Sequence, residues 1–340
     1  MKNINRKVLS KLGIVVIVVI FLFAGYTLIP SKKVVEENII LEKVATAKAN
    51  SAKNDDVLIM AEKGGYLVYP ENTKMAFDKV IKTKDTYVDI IELDIRTTLD
   101  GYLVIIEDET INRLALTEDA EPVYVSKSRY DELDNYNLGR NFKNLDGEYP
   151  YMSTDRYSSQ GLTLLKFEDF LKEYKSYATT RLYMFDFQET GEAGKTAVKK
   201  AVELLQKEDY KAYQDSVILS SSDTVMINWM SNEYSSKYAI SGSGQITESL
   251  LNSCKFGFKV FNNPVYSVVQ YDLKAQGLLG IKYNTAKKGF IHKIEEKNMA
   301  LIFKNVNTEE AVEKVCKAGG SIISTGNHQL VNTTLGTILK

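Results

Sequence analysis

Five carboxylates lie at or near the ends of short apolar runs. Glu62 follows Val57 to Ala61, Glu92 and Asp94 lie within Val88 to Ile95, and Glu107 and Asp108 follow Tyr102 to Ile106. Apolar runs of this length, rich in Val and Ile, read as strands. A carboxylate is costly in mid-strand and at home where a strand end meets ligand or metal. Side chains two apart share a strand face, so Glu92 and Asp94 point the same way. Only a short turn around Asp100-Gly101 separates the second run from the third. That is too short for a parallel crossover, so the two runs form a hairpin. Pairing outward from Leu99-Asp100 sets Glu92 opposite Glu107. Glu92, Asp94 and Glu107 then converge, and three carboxylates that close hold either raised pKa values or a cation. A hard divalent cation with oxygen ligands, Ca2+ or Mg2+, meets that demand.

The elements that must position these groups alternate between strand and helix from residue 57 to residue 330. That alternation predicts a (β/α)8 barrel, whose active face lies at the C-terminal ends of its strands. Further strands are expected at 182–187, 217–221, 237–241, 278–283, 300–303 and 322–325. Helices are expected over 162–174, with Phe167, Phe170 and Leu171 as its apolar face, and over 226–234, with Trp229 as packing. The loop Gly242-Ser243-Gly244 lacks the spacing of a nucleotide fingerprint. Residues 115–160 are tyrosine-rich and punctuated by Gly139, Gly147 and Pro150, as expected of an insertion near the barrel mouth. The chain has two histidines. His292 falls on a helix surface, and His328 follows the last strand near the rim.

The motif order from 57 to 113 resembles the glycerophosphodiester phosphodiesterase family. That family carries His-Arg-Gly after its first strand, then Pro-Glu-Asn-Thr, Glu-Leu-Asp, Thr-x-Asp-Gly and a strand ending in His-Asp. Here Pro70-Glu71-Asn72-Thr73, Glu92-Leu93-Asp94 and Thr98-Leu99-Asp100-Gly101 are intact. The resemblance implies a TIM-type barrel of the phospholipase C-like phosphodiesterase kind over 57–330. It makes Glu92 and Asp94 metal ligands and adds Asp186, which stands where the family has a glutamate. It also marks the departures. Glu62 and Glu107 fall on the family's two catalytic histidines, Lys63 on its arginine and Gln188 on its lysine. Lys63 and Arg113 are the remaining candidates to neutralise a phosphate. Asp146 to Tyr151 resembles an insertion that covers the family's barrel mouth. Ser220-Ser221, Val306-Asn307 and Ile322 to Thr325 match later family strands, the last two without the family's tryptophan and aspartate.

With 340 residues, the chain has room for one barrel of about 250 residues plus an extension. A net charge of −1 provides no global field for nucleic acid or anionic membrane. Two cysteines, Cys254 and Cys316, are too few for a disulfide framework and fit no metal spacing. Lys2, Arg6, Lys7 and Lys11 make residues 1–12 basic. The uncharged apolar run 13–30 then just reaches across a bilayer. No small-x-small cleavage site follows it directly, which favours an uncleaved anchor over a signal peptide. The positive-inside rule puts the N-terminus in the cytoplasm and the barrel outside the cell membrane. Residues 31–56 read as a stalk with a helix over 34–52, and 331–340 as a tail.

Three functions follow as expectations. In the first, the domain recognises a glycerophosphoryl or sugar-phosphate group, on a lipid head group or a teichoic acid-like polymer, with hydrolysis lost or strongly altered. The reason is that an ordinary glutamate cannot easily donate a proton near neutrality, whereas imidazole can. In the second, it is an active metal-dependent phosphodiesterase in which Glu62 and Glu107 serve as acid and base. In the third, two opposed carboxylates cleave glycosides.

Overall fold

The computed structural model describes residues 14–18, 37–49, 57–83, 87–117, 121–256, 266–277 and 280–338. The strands, in chain order, begin with β1 (Leu58–Ala61), β2 (Ile90–Thr97), β3 (Leu103–Ile105) and β4 (Leu165–Lys166). Next come β5 (Leu182–Phe187), β6 (Val217–Ser220), β7 (Ala239–Gly242) and β8 (Val268–Asp272). The series closes with β9 (Lys274–Gln276), β10 (Lys282–Asn284), β11 (Ala300–Lys304) and β12 (Ile322–Thr325). Parallel pairing runs β1-β2-β5-β6-β7-β8-β11-β12 and returns to β1, closing an eight-stranded barrel of the TIM type. β3 and β4 extend β2 as an antiparallel edge.

Strand alternation sorts the side chains into two layers. Leu58, Met60, Ile90, Leu182, Met184, Ile218, Val268, Ala300, Ile302 and Ile322 form one buried cluster, the barrel interior. Their neighbours Ile59, Ile91, Tyr183, Phe185, Leu219, Val269, Leu301, Phe303 and Ile323 belong to the larger cluster beneath the helices. Both faces are apolar, as both faces of a covered parallel sheet must be. Continuing the inward row toward the C-terminal strand ends gives Glu62, Glu92, Asp94, Asp186, Ser220, Gln270, Lys304 and Ser324. The interior therefore changes from aliphatic to polar within one step along the strands.

Two expectations need correction. The barrel strand in the 266–284 region is Val268–Asp272, not 278–283. Among the described residues, the latter region contributes β10, paired antiparallel with β9, and Gly280 takes a left-handed φ of 72. The hairpin register is Ile95↔Ile105 and Thr97↔Leu103, centred on Asp100, one residue from the expected pairing. A slip of one residue reverses the face of every side chain on the strand.

Helix α1 (Ile39–Ala49) lies within the segment read as a stalk, but it does not stand apart. Ile40 and Val44 join the interior cluster. Asn38 Nδ2 donates to Ser267 O at 2.6 Å and to Asn298 O at 2.8 Å, just before β8 and β11. The helix thus plugs the floor of the barrel, opposite the carboxylates. Residues 14–18 are helical and exposed, and the rest of the apolar run 13–30 lies outside the described residues. Among the described residues, no helix is long and apolar enough to cross a membrane.

Candidate functional site

β1 runs straight into a tight turn. Lys63, Gly64 and Gly65 take φ values of 53, 74 and 91. Left-handed backbone is unfavourable for lysine by roughly 1–2 kcal/mol and ordinary for glycine. At Gly65 a Cβ would come within 3.0 Å of His328 Nδ1, so the turn packs against the first residue of the C-terminal helix His328–Ile338. His328 is fully buried with no partner on either ring nitrogen among the described residues. Burial lowers its pKa to about 4, so the imidazole behind the turn is neutral. The turn also aims Lys63 N at Glu92 Oε2, 3.2 Å away.

The Pro-Glu-Asn-Thr string serves this geometry residue by residue. Thr73 caps helix α2 (Lys74–Ile81) by accepting from Ala76 N. Asn72, itself left-handed at φ 56, donates from Nδ2 to Asp94 Oδ2 at 2.8 Å. Glu71 accepts from Arg113. Thr98-Leu99-Asp100-Gly101 is a structural turn: Thr98 Oγ1 donates to Asp100 Oδ1 at 2.7 Å, and Gly101 supplies φ 81.

Glu92 and Asp94 from within β2 and Asp186 from near the end of β5 come together in the polar layer, with carboxylate oxygens all within 4.8 Å of one another. Asp94 and Asp186 are direct partners in the β2–β5 register. Glu92 and Asp94 are 4% and 2% exposed. Burial first, and neighbouring carboxylates second, hold the pKa values of Glu92 and Asp94 well above the ordinary range. Burial also raises that of Asp186, against hydrogen bonds from Ser220 and Gln188. Gln188 Nε2 bridges two of the three, donating to Asp94 Oδ1 at 2.7 Å and Asp186 Oδ2 at 2.9 Å. Buried, mutually repelling hard oxygen donors fit a hard divalent cation.

Glu107 is not part of this triad. The shifted hairpin register turns it away, and its carboxylate forms an ion pair with Lys63 Nζ. Its charge still reaches Asp94, Asp186 and Glu62. Glu62 sits one inward step beyond Met60 and is 8% exposed. Burial raises its pKa, against the pull of Lys304, Lys63 and a 3.3 Å hydrogen bond from Ser324 Oγ. Arg113 is held by Asp108, at 2.6 Å from Nε, and by Glu71, at 2.7 Å from Nη2. Both cations expected to meet a phosphate are therefore already ion-paired.

Sequence reasoning missed Lys304. Burial works against its charge, but Glu92, Glu62, Asp186 and Asp272 outweigh that and hold its pKa above the ordinary value. Strand alternation from the inward Ile302 points to it once β11 is placed. Cys254 is buried and Cys316 partly buried.

Residues 63–327 match the model of the glycerophosphoryl diester phosphodiesterase family. A glycerophosphodiester phosphodiesterase of Bacillus subtilis is 35% identical over 69 residues, 20% of this chain and 22% of that protein. One from Caldanaerobacter subterraneus is 43% identical over 56 residues, 16% of this chain and 22% of that protein. The aligned stretches thus span under a quarter of these relatives. Among solved structures, the glycerophosphoryl diester phosphodiesterase domain of an uncharacterized Mycobacterium tuberculosis protein superposes with a TM-score of 0.63 at 15% identity. It covers 82% of this chain and 98% of that one. A phosphodiesterase of Oleispira antarctica, solved with its product sn-glycerol-3-phosphate, gives 0.59 at 12% identity over 82% and 96% of the two chains.

Proposed function

The chain belongs to the glycerophosphoryl diester phosphodiesterase family, and on that premise we propose that it recognises glycerophosphoryl-type phosphodiesters, with hydrolysis lost or strongly altered. The observation that carries this reading is the Lys63–Glu107 ion pair. Phosphodiester cleavage needs one group to take a proton from the attacking oxygen and one to give a proton to the leaving oxygen. Glu107, at one of the two positions that resemble the family's histidines, is instead tied to the Lys63 ammonium.

Recognition draws on residues the site retains. Glu92, Asp94 and Asp186 would hold Ca2+ or Mg2+, which when bound neutralises charge on a phosphoryl oxygen. Asn72 and Gln188 orient the carboxylates. The sn-glycerol-3-phosphate carried by the Oleispira relative supports a ligand of this chemistry. We place the barrel outside the cell, on a lipid head group or teichoic acid-like polymer, tethered by the apolar run 13–30.

A specific observation favours a second reading. Burial lets Glu62 keep a proton to higher pH than an ordinary glutamate, while Glu107 is tied to the Lys63 ammonium. Two carboxylates in surroundings this different can divide acid and base roles, giving an altered phosphodiesterase. The glycosidase reading rests on residue type, and nothing in the site adds to it.

The test is calorimetry of the purified chain with sn-glycerol 3-phosphate and Ca2+, alongside a hydrolysis assay on glycerophosphodiesters. Binding without turnover is expected. Metal-dependent turnover abolished by Glu107→Gln would overturn the recognition reading in favour of the enzyme.

A further inference from the structure

We infer that Lys304 is the anion-anchoring residue of this site, the cation that meets the phosphoryl group of the ligand. The inference rests on the recognition reading above and names the residue that carries it. Its first support is placement. Ala300 and Ile302 lie in the barrel interior, whereas Leu301 and Phe303 pack under the helices. Lys304 is the next inward position, at the C-terminal end of β11, in register with Asp272 of β8. It enters the same polar layer as Glu62, Glu92 and Asp186, and all three carboxylates act on it.

Its second support is that, among the described residues, the Lys304 side chain has no direct partner. Lys63 is tied to Glu107, and Arg113 to Glu71 and Asp108. The Lys304 ammonium makes no hydrogen bond and no ion pair within 4 Å among the described residues. An ammonium carries three N–H donors. In a half-closed interior those donors need an acceptor, and the surrounding carboxylates attract the charge without reaching it. A phosphoryl oxygen entering the mouth supplies the acceptor and, with a cation on Glu92, Asp94 and Asp186, would be gripped from two sides. Lys304 also opposes that cation, because both are positive and share the same acids.

This gives a pair of effects with opposite signs. Calorimetry on the full chain with sn-glycerol 3-phosphate and Ca2+ compares wild type with Lys304→Met. Loss of a charge-assisted hydrogen bond is expected to weaken the phosphate ester by roughly tenfold or more. Ca2+ alone is expected to bind Lys304→Met more tightly than wild type, because a like charge has gone. Lys304→Arg keeps the charge and should retain ester binding, and it serves as the reporter if the Met variant does not fold: a tenfold loss in the Arg variant as well would overturn the inference. Wild type that binds the ester, with Lys304→Met binding it equally, overturns the inference alone. Wild type that binds no ester overturns the recognition reading and this inference with it.

Discussion

Asn72 shows how one side chain can hold both a backbone and a site. Its φ of 56 is a conformation asparagine tolerates far better than most residues, and its amide donates to Asp94 at 2.8 Å. Asn72→Ala removes both contributions. Partners that orient metal ligands are typically worth 10–100-fold in affinity, so Ca2+ binding should fall by roughly that factor. Asn72→Gly restores the backbone freedom but not the clamp. A calorimetric titration in which the Gly variant binds Ca2+ like wild type would show that the amide does not position Asp94. The Lys63–Glu107 pair and the isolated Lys304 make the same point at residue scale. The side chains named as phosphate cations from residue type are satisfied by neighbouring acids, whereas Lys304, which the sequence reading passed over, has no side-chain partner among the described residues.

At the scale of elements, α1 (Ile39–Ala49) is the least expected contributor. Its sequence reads as an amphipathic spacer, yet Ile40 is fully buried and Val44 is 5% exposed against the barrel interior. Ile40→Ala should destabilise the fold by roughly 2–5 kcal/mol, the range for an isoleucine-sized cavity in a core. Urea unfolding followed by circular dichroism checks this, and an unchanged midpoint would mean that the helix does not seal the floor in solution. The β2–β3 hairpin teaches a related lesson. Its turn residues were legible, but its centre is Asp100, because Thr98 N donates to Tyr102 O and Gly101 N to Thr98 O. That single step keeps Glu107 out of the carboxylate triad.

For the molecule as a whole, the buried acids couple stability to pH and to cations. Glu92, Asp94 and Asp186 fold with pKa values raised mainly by burial. The folded state therefore keeps protons that the unfolded chain releases above about pH 4. In the cation-free protein this contribution to stability is present below that pH and is lost as pH rises through the folded pKa values. A divalent cation replaces the protons, so its stabilising effect should be larger at about pH 8 than at about pH 5. Thermal unfolding with EDTA and with excess Ca2+ at both pH values checks this. Equal Ca2+-induced shifts in Tm would show that the triad does not hold the ion. The barrel, most of its strands and the shared face of Glu92 and Asp94 were legible in the sequence, and the family resemblance added Asp186. Periodicity, short turns and motif order are local properties that the chain encodes directly. Tertiary structure decided the rest. The strand Val268–Asp272, the floor helix, the Lys63–Glu107 pair and the isolation of Lys304 depend on which residues meet across the closed barrel. The reason is physical: a side chain's charge and reach are local, but its partner is chosen by closure, which brings Lys304 to the acids Glu62 and Glu92 from more than 200 positions away.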